Sequence, residues 1–257
     1  MIEELKFTGE RVVPDETPYS VWQEHLARYE FATKFIKGKV VLDIACGTGY
    51  GSEYMLRRGA RKVIGVDISA EAINYAKRHY SREMLFFIES NATMLPFNNN
   101  SFDVIISFET IEHIKEYENF IQEVSRVLKN EGIFICSTPN KRVSSPHSEI
   151  PLNPYHVREF YAIEFACLLK KYFSGVSLYG QNNINLLCYK LKQIIYNNLL
   201  NLYNNHYLIG HLIRIKRLFS KHKINQSIDA IEDRFLVRNF YDNLFRCSSY
   251  IIAICYK

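Results

Sequence analysis

Short β-rich apolar runs alternate along the chain with stretches whose apolar residues have helical spacing. Residues 40–44 form a run typical of a buried strand, and residues 50–58 have the spacing of a helix. The two patterns then return as a strand over 62–67 and a helix over 70–79. Because strands joined through helices pair in parallel with right-handed crossovers, this alternation predicts a doubly wound α/β sheet.

The rest of the pattern completes seven strands around this core. Further strands are predicted at 85–89, 103–108, 133–137, 176–179 and 250–255, and further helices at 21–36, 117–128 and 162–172. The first twenty residues contain Pro14 and Pro18 and predict an extended arm that leads into the first helix. We therefore expect a Rossmann-like, seven-stranded, mostly parallel sheet with an N-terminal helical cap.

Residues 183–228 stand apart from the alternation of strands and helices. They are rich in asparagine, and their apolar residues have helical spacing, so they predict a helical insertion before the last strand. The expected organisation is then an arm and cap helix over 1–37, a core over 38–182, the insertion, and the end of the core sheet over 229–257.

The charge of the chain is unevenly distributed. The composition is that of a globular protein, with 47% hydrophobic and 23% charged residues and a net charge of +5. No acidic residue lies between Glu164 and Asp229. This stretch predicts contact with an anionic acceptor or a membrane surface, with a solvated basic face as the alternative. Its most concentrated basic residues are Arg214, Lys216, Arg217, Lys221 and Lys223.

The cysteines and the apolar runs bear on the cell compartment. Six cysteines are scattered without C-x-x-C pairs, which predicts reduced core residues and neither a disulfide framework nor a zinc site. No apolar run is long enough to span a bilayer, and the N-terminus lacks the pattern of a signal peptide. We expect a cytoplasmic protein.

The strongest chemical signal is the glycine-rich run VLDIACGTGYG at residues 41–51, between the first strand and its helix. Its G-x-G-x-G spacing has Ser52 where a dinucleotide-binding loop needs glycine. Asp67 ends the second strand 18 residues beyond Gly49, where a carboxylate can accept both hydroxyls of a ribose. Asn91 follows the third strand, where its side-chain oxygen can accept from an adenine amino group.

Together these motifs, over residues 38–140, resemble the class I S-adenosylmethionine (SAM)-dependent methyltransferases. The resemblance implies that Asp43 lies near the methionine amino group, that Gly47 and Gly49 pass under the cofactor, and that Asp67 binds the ribose. Asn91 replaces the usual aspartate of the family but keeps an acceptor. The implied cofactor-binding residues are Arg28, Asp43, Ala45, Gly47, Gly49, Asp67, Ile68, Asn91, Ala92 and Phe108.

Three outer segments resemble a narrower subgroup, the bacterial surface-polysaccharide and sugar-modifying methyltransferases. They are TGER at 8–11, EHLARY at 24–29 and NPYHVREF at 153–160. The resemblance implies that the N-terminal helix covers the cofactor, with Arg28 neutralising the methionine carboxylate. Tyr19 and Trp22 could close over the sulfonium, with core packing as the alternative, preferred for Trp22.

The segment after the fourth strand carries the candidate catalytic residues. Glu109, Glu112 and His113 stand at i, i+3 and i+4, which on a helical turn places them on one side. In one interpretation His113 is a general base, supported by Glu109 and with His156 as the next candidate. A purely structural interpretation makes Glu112 a helix N-terminal acid that stabilises the dipole.

In the other interpretation the same residues bind Mg²⁺ or another divalent cation. Glu109, Glu112, His113 and His156 would be its ligands. This E-x-x-E-H pattern with a later histidine resembles the metal site of small-RNA terminal 2′-O-methyltransferases and of ubiquinone-pathway O-methyltransferases. At this point both the metal-free and the metal-dependent interpretation stay open.

The sequence thus predicts a SAM-dependent O-methyltransferase. Its expected acceptor is a small hydroxylated molecule: a sugar, a sugar nucleotide, a lipid-linked acceptor, or a phosphoryl or phosphoramidate group in surface-polysaccharide biosynthesis. RNA ribose O-methylation is one alternative, although no separate RNA-binding module is visible and nucleic acid is not the expected partner. A non-catalytic SAM-binding partner subunit is another, and peripheral membrane contact and a homo-oligomer are compatible with the sequence.

Overall fold

The computed structural model describes residues 11–146, 148–185, 238–239 and 246–257. The helices are α1 (Tyr19–Ile36), α2 (Tyr50–Arg57), α3 (Ala70–His79), α4 (Tyr117–Val127), α5 (Lys141–Ser144) and α6 (Ala162–Leu169), with a 3-10 helix over Ile111–His113. The strands are β1 (Val40–Ile44), β2 (Lys62–Asp67), β3 (Leu85–Glu89), β4 (Phe102–Phe108), β5 (Leu128–Pro139), β6 (Gly175–Asn185), β7 (Arg238–Asn239) and β8 (Arg246–Tyr256).

All described strands belong to one sheet, in the order β3-β2-β1-β4-β5-β8-β6-β7. The first five of these are parallel, whereas β8 runs antiparallel between β5 and β6. The first strand, β1, lies in the middle of the sheet. The next two strands are added on one side of it, and β4 and β5 are then added on the other side. This confirms the predicted doubly wound, mostly parallel sheet, to which β7 adds a two-residue edge.

The topology places several loop residues at one edge. Asp43 of β1 is level with Gly65 of β2 on one side and with Ile106 of β4 on the other. The loops that leave the carboxyl ends of these strands therefore meet at the point where the winding direction reverses. Ligand sites of doubly wound sheets lie at this switch point.

The central strands are buried on both faces. In β4, Val104 and Ile106 pack into the core beneath α1, α2 and α3, whereas Ile105 points to the opposite core beneath α4 and α6. Successive side chains of a strand point to opposite faces, so an almost continuous apolar run is what a doubly covered parallel strand requires. The predicted bounds of β1, β2, β3 and α3 are confirmed by the structure.

The last strands are longer than predicted. β6 extends to Asn185, so it includes the first residues of the segment predicted as an insertion. It pairs with β8 over its whole length, from Gly175 opposite Tyr256 to Asn185 opposite Arg246. This antiparallel pairing satisfies the backbone hydrogen bonds whatever the side chains are. The mostly polar sequence GQNNIN at 180–185 therefore does not predict the strand that it forms.

The remainder of the predicted insertion lies outside the described residues, together with its basic cluster Arg214, Lys216, Arg217, Lys221 and Lys223. The prediction about the cysteines is partly wrong. Cys46, Cys136 and Cys255 are buried free thiols, but Cys167 on α6 is exposed. Among the helices that the structure describes, none is both long and apolar enough to cross a membrane.

Candidate active site

A cavity of about 300 Å³ opens at the carboxyl edge of β1, β2 and β4. Its wall is built by the N-terminal arm, α1, the glycine-rich loop, and the residues that follow β2, β3 and β4. The predicted cofactor residues in this wall are Ala45, Gly47, Asp67, Ile68, Asn91, Ala92 and Phe108. Three other predicted cofactor residues, Arg28, Asp43 and Gly49, do not line it.

The glycine-rich loop turns tightly under the cavity. Ala45, Gly47 and Gly49 all have positive φ, at 57°, 54° and 84°. A Cβ at Gly49 would lie 2.7 Å from the Cβ of Ala76 and from the ring of Phe87, so this glycine allows α2 to begin close against its neighbours. Gly49 thus acts by packing below the loop, while Gly47 faces the cavity.

Asp67 connects the glycine-rich loop to the end of β2. Its Oδ2 accepts a hydrogen bond from the N–H of Gly47 at 2.8 Å, and its Oδ1 accepts from the N–H of Ser69 at 2.9 Å. Each carboxylate oxygen can accept more than one hydrogen bond, so the contacts to the loop leave capacity for ribose hydroxyls. Asp67 lines the cavity as expected, and its role in ribose binding stays a prediction.

Asn91 lines the part of the cavity that follows β3. Its side-chain oxygen accepts from both the N–H and the hydroxyl of Thr93, each at 2.9 Å. The structure therefore shows this oxygen engaged within its own turn, and an adenine amino group would have to share it. Asn91 and Ala92 both line the cavity, as the resemblance implies.

Asp43 lies beneath the loop and is fully buried. Its carboxylate accepts hydrogen bonds from the hydroxyl of Ser52 at 2.6 Å and from the hydroxyl of Tyr29 at 3.3 Å. Burial raises the pKa of Asp43 to about 7. The contacts give Asp43 a bracing position between α1 and α2, whereas its approach to a methionine amino group stays a prediction.

Arg28 is also fully buried, on the side of α1 that faces the last strands. Its Nε donates to the side-chain oxygen of Gln181 at 2.7 Å, and its guanidinium lies 4.3 Å from the ring centre of Tyr250. Its Nη1 is 3.9 Å from the Oε1 of Glu109. These contacts tie α1 to β6 and β8, so Arg28 stands behind the cavity wall.

The arm supplies wall residues that the sequence did not single out. Arg11 and Val12 line the cavity, and the hydroxyl of Thr48 donates to the carbonyl of Val12 at 3.0 Å. This bond fastens the arm to the glycine-rich loop, and the Cγ of Arg11 lies 3.6 Å from where a Cβ of Gly47 would stand. The resemblance of TGER to a subgroup was the signal for Arg11, but it suggested no contact.

Helix α1 covers the cavity through residues other than those predicted. His25 and Tyr29 line the wall, as does Tyr50 from the start of α2. Burial and the Arg28 guanidinium lower the pKa of His25 well below its usual range, so the wall presents a neutral imidazole here. Tyr19 is 72% exposed, and Trp22 packs on Tyr50 with ring centres 4.8 Å apart.

The expectation that Glu109, Glu112 and His113 share one side is wrong. Glu109 has a φ of 52°, which turns the chain before the short 3-10 helix begins. Its Oε1 accepts from the hydroxyl of Ser137 at 2.6 Å, and it lines the cavity. Glu112 instead points into the protein and is fully buried.

Only one of the two carboxylate oxygens of Glu112 has a hydrogen-bond partner among the described residues. Its Oε2 accepts from the hydroxyl of Thr138 at 3.1 Å, whereas its Oε1 has no hydrogen-bond partner among the described residues. Burial, together with the neighbouring Glu109 carboxylate, raises the pKa of Glu112 well above its usual range. A buried acceptor without a donor is costly, which favours either a proton or a ligand at this oxygen.

His113 is the imidazole of the cavity wall. Its Nδ1 lies 2.9 Å from the carbonyl oxygen of Tyr155, which can only accept, so Nδ1 carries a proton and the lone pair of the neutral ring is at Nε2. The ring of His156 lies 5.0 Å away at nearly a right angle. The loop after β5 thus brings a second histidine to the candidate base, as predicted.

Three of the four predicted metal ligands come together. One ligand atom each from Glu112, His113 and His156 lies within 4.8 Å of the other two, whereas Glu109 is outside this group. Two imidazoles and a carboxylate are a known donor set for divalent transition metals, and the unpartnered Oε1 of Glu112 fits such an ion. The three residues could hold a cation if the Asn153 amide, whose nitrogen lies 2.9 Å from the Nε2 of His156, moved away from that nitrogen.

Comparison with known proteins supports the fold of this region. Residues 42–136 match the methyltransferase domain family. Over 166 residues the chain is 35% identical to the "Probable S-adenosylmethionine-dependent methyltransferase" of Mycobacterium tuberculosis, an alignment that covers 64% of this chain and 60% of that protein. It is 39% identical over 114 residues to the ubiquinone biosynthesis O-methyltransferase of Pelagibacter ubique, covering 44% and 47% of the two chains.

A solved structure extends the likeness to nearly the whole chain. The SAM-dependent methyltransferase from Thermotoga maritima superimposes with a TM-score of 0.60 at 17% identity, covering 93% of this chain and 91% of that one. At this identity the match shows the fold alone. The chain spans about three fifths of the length of the first curated relatives.

Proposed function

Because residues 42–136 match the methyltransferase domain family and the chain has the Rossmann-like fold of class I methyltransferases, we propose that it transfers the methyl group of SAM to an oxygen of a small hydroxylated acceptor. One observation carries the choice of oxygen: a histidine in the cavity wall whose Nδ1 proton is bound to a carbonyl. His113 therefore has its basic nitrogen at Nε2, which suits removal of a hydroxyl proton. The relative named as an O-methyltransferase agrees with this choice.

Methyl transfer from SAM needs no covalent bond to the protein. SAM supplies a methyl group on a sulfonium that is already an activated leaving group. As the acceptor oxygen forms its bond to the methyl carbon, the bond from that carbon to sulfur breaks. His113 Nε2 takes the hydroxyl proton and later releases it to water. Asp67 and the glycine-rich loop would hold the cofactor, and the cavity wall would align the two reacting atoms.

For the acceptor we propose a sugar, a sugar nucleotide, or a phosphoryl or phosphoramidate group of a surface polysaccharide. The support is the position of the NPYHVREF segment, which resembles the polysaccharide-modifying subgroup. The carbonyl of Tyr155 in this segment accepts from His113, and His156 lies against the same ring. We expect the same loop to contribute to acceptor choice, because it holds the base.

The test is a screen of nucleotide sugars and phosphorylated sugars with SAM labelled in its methyl group. We expect label on an oxygen of at least one of these acceptors, located by NMR of the product. An RNA oligonucleotide belongs in the same panel, since labelling of its ribose in place of sugars would favour the alternative. Binding of SAM with no labelling of any acceptor would contradict the enzymatic proposal and favour a cofactor-binding partner subunit.

A metal-dependent form of the same reaction is the second candidate, favoured by the convergence of Glu112, His113 and His156. A cation held there would lower the pKa of an acceptor hydroxyl and orient it. If it is used, EDTA should abolish methyl transfer and Mg²⁺ or Mn²⁺ should restore it. A Glu112→Gln variant should then require more Mn²⁺ for half-maximal activity, whereas full activity in excess EDTA would contradict the metal and leave His113 as base.

Cofactor binding should depend on Arg11. Arg11 lines the cavity with its side-chain stem beside Gly47, so its guanidinium is suited to pair with the cofactor carboxylate. Arg28 is the alternative: it does not line the cavity, but its Nη1 and Nη2 are buried without a hydrogen-bond partner among the described residues. We expect Arg11→Gln to weaken binding of S-adenosylhomocysteine by about tenfold or more, since a hydrogen bond to a charged group contributes roughly 1.5–3 kcal/mol. Isothermal calorimetry measures this.

Methylthioadenosine provides the control for that experiment, because it lacks the amino acid part of the cofactor. Its affinity should be the same in the wild type and in Arg11→Gln. An equal loss of affinity for both ligands would mean that Arg11 merely holds the arm in place. Unchanged affinity for both would favour Arg28 as the partner of the cofactor carboxylate.

A further inference from the structure

Beside the candidate base lies a buried pair that the mechanism does not use. The Nδ1 of His156 is 2.7 Å from the Oε1 of Glu159, and the side chains are 8% and 0% exposed. The other oxygen of Glu159 accepts from the hydroxyl of Ser144 at 2.7 Å. The carboxylate is thus anchored by α5 on one side and bound to the imidazole on the other.

The proton of His156 can be located from its other neighbour. The N–H of Tyr155 donates to the Oδ1 of Asn153 at 3.0 Å, which fixes the orientation of the Asn153 amide. The amide nitrogen, which only donates, then lies 2.9 Å from the Nε2 of His156. Nε2 must therefore accept, and the proton must be on Nδ1, where Glu159 accepts it.

The two histidines consequently have the same tautomer. His113 has its Nδ1 proton on the carbonyl of Tyr155, and His156 has its Nδ1 proton on Glu159. Each ring keeps its lone pair on Nε2. In His156 this lone pair accepts from the Asn153 amide, so both of its ring nitrogens are held by the protein.

We propose that Glu159 is a positioning residue that holds His156 in the Nδ1-protonated tautomer, so that the ring stays fixed at nearly a right angle to His113. The role of His156 in catalysis rests on the proposed function, whereas the assignment of its tautomer does not. Asn153 acts with Glu159 in this role, because it presents a donor to Nε2.

The tautomer can be measured in the full chain without any acceptor. In protein labelled with ¹⁵N-histidine, long-range proton–nitrogen spectra distinguish the two neutral tautomers, and the His156→Ala variant identifies the signals of His156. We expect the Nδ1-protonated pattern in the wild type. Glu159→Met, which removes the acceptor at similar length, should give a mixture of tautomers. His79, whose Nδ1 lies against the Tyr75 carbonyl on the surface, is the unchanged reference.

Methyl transfer to the acceptor found in the screen is the second readout. Glu159→Met should lower kcat by about 10–100-fold, the usual cost of losing the partner that orients a functional histidine, with little change in KM for SAM. Glu159→Gln is the matched control, because its amide oxygen can still accept from Nδ1. It should keep the tautomer and lose less activity than Glu159→Met.

Three results would overturn the proposal. They are a wild-type His156 protonated at Nε2, a tautomer unchanged in Glu159→Met, or full activity in that variant despite a changed tautomer. If Glu159→Met does not fold, Asn153→Asp replaces the donor at Nε2 with an acceptor and should add a proton at Nε2 beside the one at Nδ1. A ring still protonated at Nδ1 alone in that variant has the same consequence. A wild-type tautomer as expected, with no methylation of any acceptor, would contradict the proposed function and leave the tautomer assignment standing.

Discussion

Replacing His113 with alanine should lower the rate of methyl transfer by roughly 10²–10⁴-fold while SAM affinity stays close to that of the wild type. The ring lines the cavity, and the carbonyl of Tyr155 holds its proton at Nδ1, so Nε2 is the nitrogen that can take a proton from the acceptor. Single-turnover rates measure the chemical step, and calorimetry with SAM measures binding.

A second variant separates the base from the structural contact. His113→Asn keeps a donor that can reach the carbonyl of Tyr155 but has no basic nitrogen, so it should be as slow as His113→Ala. His79→Ala, on the surface of α3, should retain wild-type activity. Activity within a few fold of wild type in His113→Asn would place the base elsewhere, with His156 as the next candidate.

Removing the carboxylate of Asp67 should weaken SAM binding by roughly 5–150-fold, corresponding to about 1–3 kcal/mol for a buried polar contact left unmade. Two effects add here. The ribose hydroxyls lose their acceptor, and the N–H groups of Gly47 and Ser69 lose the bonds that brace the loop. Calorimetry on Asp67→Ala and Asp67→Asn gives the affinities.

The ribose contribution can be separated from the bracing of the loop. A 2′-deoxy analogue of S-adenosylhomocysteine should bind the wild type more weakly than the parent compound does, but should lose less on Asp67→Ala. Glu89→Gln removes an exposed charge from the end of the neighbouring strand and should leave affinity unchanged. Equal affinity of wild type and Asp67→Ala for SAM would refute the assignment of this strand end.

The predictions that held depend on local pattern and on the geometry of parallel sheets. Apolar runs such as Val40–Ile44 are what a strand buried on both faces requires, so their bounds could be read directly. Since the carboxyl ends of parallel strands share one edge, the positions of Gly47, Asp67 and Asn91 along the chain were enough to predict that they line one cavity.

The predictions that failed depend on contacts between distant segments. The strand character of residues 180–185 comes from pairing with β8, not from their polar side chains. The position of Arg28 outside the cavity wall likewise depends on Gln181 and Tyr250, which are far along the chain, and its role toward the cofactor stays a prediction. No local periodicity contains this information.

The candidate catalytic residues show most clearly what the sequence determines and what the tertiary structure decides. The sequence by itself determined that two carboxylates and a histidine follow β4, and that His156 comes after β5. The tertiary structure decided their partners, because the positive φ of Glu109 breaks the helical spacing and the buried Thr138 takes one oxygen of Glu112. Spacing along the chain fixes which residues are near each other, whereas backbone turns and packing fix which way each side chain points.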